Sequence, residues 1–94
     1  MLHVVVLANL EHIEKCGVDL LIALDKTPFS SKVGTLYPLL NRMEKSGLLF
    51  SDWRIEPGQT PRKYYGLTKR GREKLKESRA FFGAVYNYLK GENI

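Results

Sequence analysis

From Gly34 the chain reads GTLYPLLNRMEKSGLL. Leu36, Leu39, Leu40 and Met43 fall at i, i+3, i+4 and i+7, which is one apolar stripe of a helix. Thr35, Pro38, Asn41, Arg42 and Lys45 take the opposite face. Gly47 supplies a residue that can adopt the left-handed conformation ending such a helix. The period then changes: Leu49, Trp53 and Ile55 alternate with Phe50, Asp52, Arg54 and Glu56. A Pro57-Gly58-Gln59-Thr60-Pro61 tip follows, and Arg62 to Leu67 alternates again. The pattern predicts helix, strand, tight turn, strand, with basic and aromatic residues crowded about the hairpin. Trp53 and Tyr65 are expected to pack across the paired strands in preference to stacking on bases, and Leu67 to be core.

Upstream, Leu2 to Glu14 is apolar enough for a buried helix or a strand, Val4, Val5 and Val6 being β-branched. Its length and the later Glu11, His12, Glu14 and Lys15 favour a helix with Val4, Leu7, Ala8, Leu10 and Ile13 turned inward. Gly17 breaks the pattern, and Asp19 to Lys26 reads as a short second helix that buries Leu20, Leu21, Ala23 and Leu24. It ends before Pro28, since the residue preceding a proline avoids the helical region. Phe29 is expected to plug the space between the second and third helices, and Ser30 or Ser31 to cap the third. Pro38 requires that helix either to begin near Gly34 or to bend.

Thr68 is a good N-cap for a last helix from Lys69 to about Tyr88. Along it Leu75, Phe82, Val85, Tyr86 and Leu89 make a stripe that no later element covers, so a second copy of the chain is the expected cover. Gly83 interrupts that stripe.

Ninety-four residues make one domain, burying roughly 60% of its surface on folding. A dimer interface would enlarge so small a core. No apolar run approaches the roughly 20 residues of a membrane span. Leu2 to Leu10 lacks the basic flank and cleavage site of a signal peptide, and the expectation is a cytoplasmic protein. The net charge of +5 is unevenly spread: residues 1–31 carry −2, residues 32–79 carry +7, and the rest carry none. The positive field is thus expected over the helix, the hairpin and the strongly basic first turns of the last helix, where it would attract a polyanion. Cys16, the only cysteine, can form no intrachain disulfide and is expected in the core, a bridge across a dimer being the minority alternative. His3 and His12 have no ligand set around them, so no metal is expected. Phosphate loops, nucleophile elbows and metal clusters are all missing, so neither a cofactor nor an enzyme is expected.

A helix with a polar outer face followed by a basic hairpin is the layout of a winged helix-turn-helix, whose helix enters the DNA major groove while the wing follows the backbone. The fold expected is α+β, mainly α. It has a two-stranded wing in residues 1–68 and a dimerisation helix in residues 69–94 that packs as part of the same domain. Lys32, Thr35, Tyr37, Pro38, Asn41 and Arg42 lie toward the exposed start of the helix. Asn41 can pair with adenine, and Arg42 with guanine or a phosphate. Tyr37 has two readings, as a phosphate contact or as packing against the hairpin. Arg62, Lys63 and Tyr64 are the wing's candidates for backbone contacts. Three per subunit would give a dimer a slope of about −5 in log affinity against log salt.

Gly34-Thr35-Leu36-Tyr37-Pro38-Leu39-Leu40, Glu44-Lys45-Ser46-Gly47-Leu48, Trp53, and Pro61 through Thr68 resemble the PadR family of transcriptional regulators, over about residues 17 to 75. The resemblance implies a homodimer built on the last helix and a sequence-specific regulator of double-stranded DNA, with repression as the expected direction. It also leaves room for a small aromatic or lipophilic effector near the dimer seam, where Phe81, Phe82, Tyr86 and Tyr88 could line a pocket. The alternative reading is a winged-helix adaptor that binds protein and does not read DNA.

Overall fold

Leu2–Asn9 forms α1, Lys15–Cys16 a short strand β1, Gly17–Asp25 α2 and Val33–Lys45 α3. Leu49–Arg54 and Arg62–Leu67 follow as β2 and β3, and Lys69–Asn87 as α4. This is a computed structural model, and it describes residues 1–30 and 32–92. The cap assigned to Ser31 and the last two positions of the 69–94 helix lie outside the described residues.

α1 is shorter than its apolar run suggests. It stops at Asn9, whose side-chain amide bonds back to the Val5 carbonyl at 2.9 Å while its oxygen accepts from Lys15 at 3.4 Å. The chain is thus turned early enough for Lys15 and Cys16 to pair with β3, opposite Tyr65 and Tyr64. The sheet therefore has three antiparallel strands in the order β1-β3-β2, one more than the expected wing. Two residues are too few to show a strand period.

α3 runs through Pro38, its sixth residue, without breaking. A proline inside a helix removes one hydrogen bond. The carbonyl deprived of a donor is that of Gly34, which is exposed to water. Leu36, Leu40 and Met43 are buried as the stripe requires, with Leu39 packed beside them. Gly47 ends the helix at φ 79°, with the Leu48 amide on the Met43 carbonyl and the Gly47 amide on that of Glu44. That double bond is the Schellman stop, and it delivers the chain directly into β2. The link from β2 to β3 is a seven-residue loop, longer than a tight turn.

The core is mostly leucine: Val6, Leu7, Leu10, Leu20, Leu24, Leu36, Leu40, Met43, Leu49, Tyr65, Leu67 and Leu75 close around one another. Cys16 is buried at its edge. Four packing expectations fail. Ala8 and Ile13, expected to turn inward, are exposed, Ile13 lying beyond the end of α1. Phe29 is exposed, so it does not fill the gap between α2 and α3. Lys32 takes the N-cap position of α3 without making a side-chain capping bond there, and Ser30 is exposed. Trp53 is 66% exposed, opposite Lys63 in the register, so packing across the strands does not account for it.

Thr68 caps α4 by accepting from the Gly71 amide at 3.0 Å. Beyond Ser78 every residue of α4 is exposed. The helix continues into a π-helical turn, Tyr88–Glu92, within which Gly91 takes φ 108°. Its projection gives the molecule extents of 59 × 27 × 21 Å. No described helix is long and apolar enough to cross a membrane.

Candidate nucleic-acid interface

The polar ridge of α3 reaches solvent as its spacing requires: Thr35, Pro38, Asn41, Arg42 and Lys45 are all exposed. Among the described residues neither Arg42 nor Lys45 has an ion-pair partner, so both carry free charge outward. Lys32 is exposed just ahead of the helix.

Tyr37 stands apart from this ridge. Half-buried, it turns its ring onto the start of α2, so close that a Cβ on Gly17 would lie 2.7 Å from the ring. The ring also walls a cleft of about 280 Å³, together with Cys16, Gly17 and Val18 at the start of α2, with Trp53, Arg62, Lys63 and Tyr65 of the wing on the other side. Packing therefore occupies the face of Tyr37, and the sequence had left this open beside a phosphate contact.

Strand alternation separates Lys63 from Tyr64 in the wing, since successive side chains leave opposite faces of a strand. Arg62 is exposed and has no ion-pair partner among the described residues. Lys63 points with Tyr65 toward α3. Its ammonium lies 3.8 Å from Glu44 Oε1 and 5.5 Å from the centre of the Tyr65 ring. Tyr64 is on the far face, half-buried beneath the Arg54 guanidinium at 4.4 Å. Arg54 in turn pairs with Glu14, which precedes β1, and with Asp52 at 3.6 Å. The Glu14 bond is the largest influence raising the Arg54 pKa. The three residues thus divide into one free cation, one paired cation and one covered phenol.

Glu44, half-buried near the end of α3, is a residue that the sequence did not single out, since its partners come from the wing. Its two carboxylate oxygens accept from the Ser51 hydroxyl at 2.9 and 2.8 Å. Burial pushes the Tyr65 phenol above its ordinary pKa, and the Glu44 and Tyr37 charges add to this. At the start of α4, Lys69 and Arg70 are exposed, whereas Arg72 donates to the Glu11 carbonyl at 2.9 Å. Among the described residues no group of three His, Cys, Asp or Glu side chains is gathered as a metal would require.

A helix-turn-helix pair with a polar ridge on its second helix, followed at once by a hairpin bearing an outward cation, defines a winged-helix protein. Comparison with known proteins agrees. The chain belongs to the transcriptional regulator PadR-like family, whose sequence profile matches residues 6–77. Over 63 residues it is 40% identical to the transcriptional regulator Rv3488 of Mycobacterium tuberculosis, covering 67% of this chain and 58% of that relative. It therefore spans little more than half of that protein's length. A Streptococcus transcriptional regulator superposes with a TM-score of 0.86 at 30% identity, over 99% of this chain and 92% of the other. Bacillus subtilis PadR, solved in complex with operator DNA, gives a TM-score of 0.75 at 24% identity, over 81% of this chain and 44% of that one. At that identity the last likeness speaks for the fold.

Proposed function

We propose that the protein is a homodimeric, sequence-specific DNA-binding regulator of transcription, acting as a repressor. The observation that carries this reading is the ridge of α3, on which Arg42 and Lys45 have no ion-pair partner among the described residues and Asn41 is exposed beside them. Beside it stands a wing whose Arg62 lines the same cleft as Tyr37 of α3. Asn41 and Arg42 are the base-reading candidates, through bidentate bonds to adenine and guanine. Thr35, Pro38 and Lys32 flank them, and Arg62 takes a phosphate of the adjoining backbone. Residues 1–68 serve as the reading unit, and the helix from residue 69 onward as the dimer seam, through Phe82, Val85, Tyr86 and Leu89, which are exposed for a partner. Leu75, expected in the same stripe, is instead buried in the chain's own core and has no surface left for a second copy. Two-fold symmetry would set two copies of α3 into successive major grooves about 34 Å apart. Phe81, Phe82, Tyr86 and Tyr88, all exposed, would wall a seat for an aromatic or lipophilic effector once the seam closes. Bacillus subtilis PadR on its operator lends support by sharing the fold.

The test is fluorescence anisotropy of a labelled random-sequence duplex titrated with the protein at low salt. Binding that weakens steeply with salt, and weakens further in Arg42→Met, is the expected result. A folded dimer that leaves the duplex unbound overturns the reading.

A further inference from the structure

One acidic side chain reaches from the back of α3 to both strands of the wing. Glu44 is the next-to-last residue of the helix, on the side opposite Thr35 and Arg42. Its carboxylate takes the Ser51 hydroxyl of β2 at 2.9 and 2.8 Å, and the Lys63 ammonium of β3 lies 3.8 Å from Oε1. Ser51 and Tyr65 are paired across the strands, so the three groups share one face of the hairpin. Lys63 and Glu44 are each about two-thirds covered, at 32% and 35% exposed. The wing therefore meets the helix through a polar cluster that spans the hairpin.

We propose that Glu44 is a positioning residue which clamps the wing to the reading helix, and that Lys63 acts through Glu44 and not on a phosphate. This rests on the DNA-binding reading above and deepens it. A flexible hairpin and a helix touch a duplex together only if their mutual angle is held, and groups fixed before binding lose less freedom on binding. Ser51 and Lys63 supply that hold at two points. The pairing also has an electrostatic consequence. A carboxylate within 4 Å cancels most of the ammonium's field, so an approaching backbone meets Arg62 as the wing's free cation.

The salt dependence of binding separates the two roles of Lys63. Each phosphate contact contributes about −0.9 to the slope of log affinity against log salt. The Glu44→Gln/Lys63→Met double variant has the same net charge as the native pair, so a clamp predicts the wild-type slope. A Lys63–phosphate contact predicts instead a loss of about 0.9 per subunit. Arg62→Met, the comparison, should lose about that amount. Glu44→Gln alone frees Lys63 and should steepen the slope. Ser51→Ala, which alters no charge, should weaken binding several-fold at an unchanged slope. A double variant that behaves like Arg62→Met overturns the assignment of Lys63, and a Ser51→Ala protein that binds as well as wild type overturns the clamp. Should the wild type bind no duplex, the DNA reading fails, and the clamp is then judged on the free protein. Faster amide hydrogen exchange in β2 and β3 of Ser51→Ala supports it, and unchanged exchange overturns it.

Discussion

The Arg79 guanidinium closes on the Glu11 carboxylate with two hydrogen bonds, of 2.6 and 2.7 Å, between residues 68 apart in the chain. Two turns earlier on the same helix, Arg72 holds the Glu11 carbonyl. Together they fasten the loop after α1 to α4, and that loop delivers β1 to the sheet. The Arg79 bond keeps the Glu11 carboxyl below its ordinary range; burial opposes it, and the charges of Arg79, His12 and Arg72 reinforce it. A carboxyl whose folded pKa is depressed stabilises the fold fully above its unfolded pKa, and that contribution is lost as pH falls through the folded one.

Glu11→Gln should therefore reduce the loss of stability on acidification from about pH 5 to about pH 3, where carboxylates titrate. Urea midpoints at the two pH values measure it. The pair is at the surface, so the effect should be small and should shrink further in high salt. Equal losses in wild type and variant would count against the bond.

Thr68 joins two helices with one hydroxyl. It accepts from the Gly71 amide at the start of α4 and donates to the Gly47 carbonyl, 2.6 Å away at the end of α3. Losing a cap costs about 1 kcal/mol, and losing the second bond about as much again. Thr68→Ala should thus destabilise by about 2 kcal/mol, and Thr68→Ser, which keeps both bonds, by much less. Gly71 makes the same junction tight, because a Cβ there would meet the Leu48 carbonyl oxygen at 2.1 Å. A backbone oxygen cannot rotate away. Gly71→Ala should therefore cost about 1–3 kcal/mol through overpacking. Thermal unfolding of the three variants gives the ranking.

Elements with many turns or a sharp stop were legible in the sequence. α3 announced itself through four apolar positions at helical spacing and a terminal glycine, and Thr68 through its place before a long helix. β1 was not legible, because Lys15 and Cys16 are a strand only by virtue of the partner that β3 offers. Asn9 ended α1 inside an apolar run by bonding to its own helix, a competition that periodicity does not register. The candidate residues of α3 followed from which face is polar. Those of the wing did not separate until the register was known. Arg62, Lys63 and Tyr64 look alike as a basic and aromatic run, yet strand alternation sends Lys63 to Glu44 and Tyr64 to Arg54. Glu44 and Ser51, seven apart, become neighbours only because the Schellman stop reverses the chain between them.

The outer half of α4 and the turn that continues it make the seam testable. Phe82, Val85, Tyr86 and Leu89 recur on one helical stripe and are exposed, Leu89 by 70%. Fully burying one such side chain contributes about 1.5–3 kcal/mol, and a two-fold interface counts each position twice. Phe82→Lys combined with Leu89→Lys should raise the dimer dissociation constant at least about a hundredfold. The fold of each subunit should persist, as far-UV circular dichroism would show, since neither side chain belongs to the core. Sedimentation velocity across a concentration series reads the dissociation directly. An unchanged dimer would set the seam elsewhere, and a wild type already monomeric at high concentration would overturn the dimer itself.

Trp53 offers a probe of the wing that needs no label, being the chain's only tryptophan. Its indole is largely exposed on β2 and borders the cleft that Arg62 also lines. In the free protein its emission should be that of a hydrated indole, readily quenched by acrylamide. If Arg62 binds a backbone phosphate, the duplex passes over the neighbouring indole and should shield it, cutting the quenching constant several-fold. Arg62→Met should lose most of that shielding at salt concentrations where the ridge of α3 still holds the duplex. Asn41→Ala should leave shielding by random duplex nearly intact, because base-edge contacts contribute little to sequence-independent binding. Shielding that survives Arg62→Met but vanishes in Asn41→Ala would mean that the wing lies off the backbone, and would move the phosphate contact to the helix.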